Sequence, residues 1–257
     1  MSEIITGNNV DVLRTMKGGY VDLTVTSPPY EDLRKYNGFS LDFDGLVSEL
    51  YRVTKEGGVV VWVVGDKTVK GSESGMSFRQ ALKFIDAGFR LHDTMIYEKD
   101  SLSFPDKTRY NQIFEYMFVF SKSRPKTINL IKDRPNKHAN GRKHIKGNYR
   151  TADGQTKRHN KQNLLQPLGV RNNIWRISTG CNKSTTDKEA YKHPAIFPEK
   201  LANDHIITWS NEGDVVLDPF GGSGTTAKMA ALNNRQYIHI DCSEDYNEIA
   251  RGRLAKV

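Results

Sequence analysis

The 257-residue chain carries 38 Lys and Arg against 30 Asp and Glu, a formal charge of +8. That length, with 37% hydrophobic residues, excludes a disordered protein and allows one large α/β domain, or one with a modest insertion. No apolar run is long enough to cross a bilayer, the opening Met1-Ser2-Glu3 has no basic n-region, and Cys181 and Cys242 fit no metal-ligand spacing. A soluble, cytoplasmic protein with no metal centre is expected, and its positive surplus suits a polyanionic partner.

Gly7-Asn8-Asn9-Val10 predicts a turn entering a short helix that closes at Lys17-Gly18-Gly19. Tyr20 to Val25 alternates β-branched and polar residues and reads as a buried strand. Thr26-Ser27-Pro28-Pro29-Tyr30 follows it. Neither proline has an N–H for a ladder, so the pair leaves a rigid platform at the carboxyl end of a strand, where open α/β sheets hold ligands. The Ser27 hydroxyl and the Ser27 and Pro28 carbonyls can accept hydrogen bonds there, and Tyr30 adds an aromatic face. These groups suit a flat, amino-bearing ligand such as a nucleobase, while the plainer reading is a Pro-Pro turn that ends a strand. The polar loop from Glu31 to Ser40, with Arg34, Tyr36 and Asn37, is placed to overhang the platform.

Leu46, Leu50 and Val53 give helical spacing from Phe43 to Thr54, with an end expected at Gly57-Gly58. Val59 to Val64 is a continuous apolar run, which fits a central strand covered on both faces. Asp66 just beyond it is either a strand-end cap or a cofactor contact. A Gly- and Ser-rich loop from Lys67 to Gly75 leads to a helix over Phe78–Ile85 ending at Gly88, then strands over Phe89–Glu98 and Gln112–Phe120.

Residues 122–171 differ in kind: 14 Lys and Arg against two acids, with His138, His144 and His159, and little apolar periodicity. The rest of the chain is therefore slightly acidic. Such a run is either a flexible basic linker or a recognition segment that contacts phosphates and reads sequence with a few side chains.

A short strand is expected around Trp175, and His193 to Leu201 opens a helix running to about Trp209 with Pro198 near N1. Asp214 to Leu217 is a strand and Asp218-Pro219-Phe220-Gly221-Gly222-Ser223-Gly224-Thr225-Thr226 a glycine-rich turn. A helix follows from Ala227, then a strand over Arg235–Ile240 with Asp241 at its tip, then a closing helix over Ser243–Leu254. Strand, glycine turn, helix, strand and acid form the plan of an adenosine-binding half-fold, which makes Asp241 the ribose candidate. No lysine stands where a phosphate-gripping loop needs one, and Ala227 occupies the place of a dinucleotide pattern's third glycine. Asp218 puts a carboxylate in the cleft, which suits a cationic amine better than a pyrophosphate.

The Thr26-Ser27-Pro28-Pro29-Tyr30 stretch, taken with Asp218 to Thr226, resembles the amino-methyltransferases that modify DNA bases, and the resemblance covers nearly the whole chain. The motif order, catalytic first, basic segment in the middle, cofactor last, is similar to the family's β class. The resemblance implies a Rossmann-like, three-layer α/β methyltransferase fold with a mostly parallel sheet. Residues 1–121 would form its catalytic half, residues 122–172 a basic target-recognition insertion and residues 173–257 its cofactor-binding half. It implies S-adenosylmethionine as cofactor and double-stranded DNA as partner, and leaves open both a cognate restriction endonuclease and a homodimer. Ser27, Pro28, Pro29 and Tyr30 would be catalytic, and Asp218, Pro219, Phe220, Gly221, Gly222, Ser223, Gly224, Thr225, Asp241 and His193 would hold the cofactor. The serine form of the catalytic motif favours cytosine N4 over adenine N6. Methylation of RNA, and a DNA-binding module with a relic cofactor pocket, remain as alternatives.

Overall fold

A computed structural model of the chain describes residues 2–29, 42–100, 107–137, 147–158, 166–180 and 182–257. Tyr30, the 31–40 stretch expected to overhang the platform, His138, His144, His159 and Cys181 lie outside the described residues. The chain divides into two compact units, Met1–Asn129 with Asn173–Val257, and Leu130–Asn172.

The larger unit is built on an eight-stranded sheet of β1 (Glu3–Thr6), β2 (Val21–Thr26), β3 (Thr54–Val64), β4 (Arg90–Lys99), β5 (Phe114–Ser121), β6 (Ile174–Ile177), β7 (Val215–Asp218) and β8 (Gln236–Asp241). Their spatial order is β1-β8-β7-β2-β3-β5-β4-β6, with β5 alone running against the rest. The apolar run of β3 sends Val60, Trp62 and Val64 to one face and Val59, Val61 and Val63 to the other, and all six are buried. Both faces are therefore covered. Helices α1 (Asn9–Thr15), α2 (Phe43–Val53) and α3 (Met76–Asp86) bury Leu13, Leu50 and Phe84 on the first face. On the second, α4 (Glu199–Trp209) and α5 (Thr225–Leu232) bury Ile206 and Met229. The last helix, α6 (Glu244–Leu254), packs beside α5 and β1.

Three expectations change. β1 was not anticipated, because its half-buried Ile4 and Ile5 make only a weak apolar signal at a sheet edge. The helix expected from His193 begins at Glu199, with Pro198 as its N-cap. Pro194 and Pro198 explain this, since the residue before a proline is pushed away from helical angles. The end placed at Gly57-Gly58 comes earlier: α2 stops at Val53, and β3 starts at Thr54 and runs through both glycines.

In the smaller unit, Arg134 and Pro135 pair with Gly169 and Leu168 as a short antiparallel clasp. Arg134 Nε donates to the Val170 carbonyl at 3.0 Å and Asn136 Nδ2 to the Gln166 carbonyl at 2.8 Å, while Arg171 is ion-paired with Asp133. The same unit carries a two-stranded ribbon of Asn148–Arg150 and Thr156–Arg158. Lys122, at the start of the basic run, belongs to the larger unit, where its Nζ donates to the Tyr51 and Thr54 carbonyls at 2.9 and 3.1 Å.

Candidate active site

β2 and β7 are neighbours from which the chain departs in opposite directions, β2 through α2 to β3 and β7 through α5 to β8. Such a switch point opens a crevice at the carboxyl ends of the strands. Ser27-Pro28-Pro29 leaves β2 there, with Pro28 buried and Ser27 half-buried. Asp218 ends β7 beside it. Thr26 Oγ1 donates to Asp218 Oδ1 at 2.6 Å, and the Phe220 amide donates to the same oxygen at 3.1 Å. One buried bond thus ties the platform to the glycine turn.

Burial pushes the Asp218 carboxyl up to about 6, since the bonds from Thr26, Phe220 and Thr226 only partly offset desolvation and the nearby Asp241 adds to the rise. Below the ordinary carboxyl value the group is neutral in folded and unfolded chains alike. Between that value and about 6 the unfolded chain ionises first, so the fold loses stability as pH rises, and the loss is complete above 6. At pH 7 the cost is on the order of 3 kcal/mol. Asp218→Asn keeps the acceptor for Thr26 and Phe220 and removes the charge. Urea titrations should find it more stable than wild type at pH 7, with the difference fading below pH 4. His239, held down to about 4 by burial, acts in the opposite sense, and its contribution cancels in the comparison. An equal stability difference at both pH values would refute the assignment.

The turn itself is already bonded. Gly221 N donates to Ile240 O, Gly222 N to Asp241 Oδ2 and Gly224 N to Gly221 O, each at 2.9 Å. Three of the turn's amides, those of the glycines, are thus already engaged. Asp241, at the tip of β8, also accepts from Ser243 N at 2.8 Å. His193 reaches the same turn. A Cβ on Gly222, whose φ is +50°, would lie 3.0 Å from His193 Nε2. Its Nδ1 sits 2.7 Å from the Ala195 carbonyl and 3.1 Å from the Ala195 amide, so the ring is held by its own loop with Nε2 facing the turn. Burial lowers the His193 pKa and keeps the ring neutral, although the Ala195 bond and Asp241 pull the other way. Two carboxylates, a neutral imidazole and bare glycine backbone fit a cationic, hydroxyl-bearing adenosine cofactor and do not fit a phosphate.

The remaining candidate residues make contacts within the fold. Phe220, partly buried, packs edge-on against the core residue Trp62 at 6.0 Å, and the Pro219 carbonyl accepts from Asn9 Nδ2 at 3.3 Å. Asp66 caps the start of α3: it accepts from Ser74 Oγ at 2.8 Å and Ser77 N at 3.2 Å. Burial raises its pKa, but the bonds from Ser77 and Ser74 outweigh that and lower it.

Ser223 and Thr225 turn their hydroxyls to Arg253, whose Nη1 donates to Ser223 O at 2.6 Å and to both hydroxyls at 3.1 Å. Arg253 is fully buried. Its other nitrogens meet Asp187 at 3.1 Å and Glu199 at 2.7 Å, and Lys228 joins Glu199 at 2.8 Å. Burial would raise both acids; Lys228 and Thr185 at Glu199, and the Glu189 amide and Arg253 at Asp187, hold them low instead. Sequence reasoning missed this role, because an arginine in the last turn of a terminal helix reads as a solvated partner of the helix dipole. Arg253→Met strands the turn's acceptors and leaves Asp187 and Glu199 to Lys228 and the more distant Lys256, so denaturant unfolding should show a loss of about 3 kcal/mol. A variant within about 0.5 kcal/mol of wild type would mean that the arginine is only filling space.

A family model described as DNA methylase, of the N6/N4 methyltransferase type, matches residues 21–252. The chain is 71% identical to the orphan methyltransferase M.BamHII of Bacillus amyloliquefaciens, over 91% of this chain and 88% of that one. It is 29% identical to the type II methyltransferase M.HpaI of Haemophilus parainfluenzae, over 98% of this chain and 73% of that one. Among solved structures, the PvuII DNA methyltransferase, described as cytosine-N4-specific, matches with a TM-score of 0.71 at 21% identity, covering 98% of this chain and 86% of that one. The protein TTHA0409 of Thermus thermophilus, solved with S-adenosyl-L-methionine, matches with a TM-score of 0.67 at 24% identity, covering 100% of this chain and 94% of that one. These likenesses establish a Rossmann-like methyltransferase fold. Among the described residues, no helix is long and apolar enough to cross a membrane.

Proposed function

The chain belongs to the DNA methylase family of N6/N4 methyltransferases, and from that membership we propose that it methylates cytosine N4 at a specific site in double-stranded DNA. Its cofactor is S-adenosylmethionine, which supplies a methyl group on a positively charged sulfur. The observation that carries the reading is the Thr26–Asp218 bond, which fixes the Ser27-Pro28-Pro29 platform beside the glycine turn.

The target amino group is paired and stacked in duplex DNA, so the base must be turned out into the crevice. Ser27 Oγ and the Pro28 carbonyl accept the amino N–H bonds, which draws the nitrogen lone pair out of conjugation with the ring. Tyr30 stacks on the base. Asp241 accepts from the ribose hydroxyls, His193 Nε2 faces the cofactor over Gly222, and Asp218 places its carboxylate where positive charge is best tolerated. Holding both reactants in line accounts for much of the acceleration, and acceptors set where charge changes contribute the rest. The basic run, residues 122–172, is the target-recognition segment. The Bacillus relative is described as an orphan enzyme, so a nuclease partner is not part of this reading.

Nucleoside mass spectrometry of unmethylated DNA incubated with the protein and S-adenosylmethionine tests it. N4-methylcytosine is the expected product. N6-methyladenine would overturn the choice of base, which rests on Ser27 alone. No methylated base on DNA of varied sequence would favour RNA or binding without catalysis.

A further inference from the structure

Register sorts the side chains of the Asn148–Arg150/Thr156–Arg158 ribbon. Asn148 pairs with Arg158, Tyr149 with Lys157 and Arg150 with Thr156. Opposite residues share a face and neighbours along a strand alternate. Asn148, Arg150, Thr156 and Arg158 therefore stand on one face, and Tyr149 and Lys157 on the other. All six are exposed. Arg150, Lys157 and Arg158 have no ion-pair partner among the described residues, unlike Arg171, which Asp133 holds.

The acid within the ribbon, Asp153, is turned to its own loop, where it accepts from Thr151 Oγ1 and from Gln155 N at 3.4 Å. Thr151 N donates to Gln155 O at 2.8 Å and Gly154 N to Thr151 O at 2.9 Å, which fixes the tip. The ribbon's tip is hydrogen-bonded, yet among the described residues nothing covers either face. A two-stranded hairpin of that kind is marginal in water by itself and gains most from a partner.

We propose that this ribbon is the base-reading element of the recognition segment. It enters the major groove of duplex DNA with Asn148, Arg150 and Arg158 toward the base edges and Lys157 behind them, reaching a phosphate. The inference rests on the DNA-methyltransferase reading. A two-stranded ribbon fits the major groove of B-DNA, where arginine pairs with guanine O6 and N7 and asparagine with adenine N6 and N7. The A-form groove of duplex RNA is too deep and narrow to be read this way. The recognition sequence accordingly includes G·C pairs.

The test maps methylated positions across a randomised duplex library for wild type, Arg150→Ala, Arg158→Ala and Lys157→Ala, with melting temperatures as a check on folding. Each arginine variant should relax one base position, lowering discrimination there by about tenfold to hundredfold. Lys157→Ala should keep the wild-type sequence while losing activity evenly and showing a weaker salt dependence. Arginine variants that keep wild-type preference at every position, even with activity uniformly reduced, would overturn the proposal, because phosphate contact alone gives that result. Wild type that methylates no member of the library would instead remove the underlying function, and the ribbon's role with it.

Discussion

Ser27→Ala is expected to lower turnover on duplex DNA about a hundredfold while S-adenosylmethionine affinity stays within about twofold of wild type. The substitution removes one oxygen from a half-buried residue and leaves the backbone path in place. That path is set by the buried Thr26–Asp218 bond and by buried Pro28, neither of which involves the serine hydroxyl. The cofactor groups, Asp241, His193 and the glycine turn, belong to other strands and loops. Loss of an acceptor that acts on the amino nitrogen only while the methyl moves lowers kcat and leaves cofactor binding alone. Single-turnover kinetics and calorimetric titration of the cofactor separate the two quantities. Equal losses in both would make Ser27 part of the cofactor pocket, and unchanged turnover would leave the Pro28 carbonyl as the working acceptor.

Backbone punctuation carried most of what could be read in advance. The six-residue apolar run of β3 announced a strand covered on both faces, and both faces are buried. The glycine turn and Asp241 were legible because a strand, a turn and an acid lie close together in sequence, and Gly222 N does bond Asp241. What stayed hidden depends on contacts distant in sequence. Thr26 reads as one more β-branched strand residue until β7 lies beside it, 192 positions away. Arg253 reads as a surface charge until α6 folds back over the turn. The ribbon's two faces exist only once Asn148 is known to oppose Arg158, since composition supplies the charge but not the register.

Gly221→Ala should be among the most damaging single changes in the chain, and His239 is the reason. A Cβ on Gly221 would lie 2.2 Å from both Cε1 and Nδ1 of that ring and 2.6 Å from Nε2. The ring has no room to retreat. It is fully buried, with Nε2 2.9 Å from Asn247 Oδ1, and Asn247 is itself buried and bonded to Thr6 Oγ1 at 2.7 Å. The backbone must move instead, which costs about 3 kcal/mol of stability. It also pulls Gly222 N from Asp241, so cofactor affinity should fall by about tenfold or more, as a partly buried charge-assisted bond is lost. A double-mutant cycle isolates the cause. His239→Gly alone opens a cavity and destabilises, but together with Gly221→Ala it removes the clash. The pair should therefore be more stable than the two single losses predict, by about 1 to 3 kcal/mol. Additive losses in denaturant unfolding would show that the glycine is needed for some reason other than the histidine beneath it.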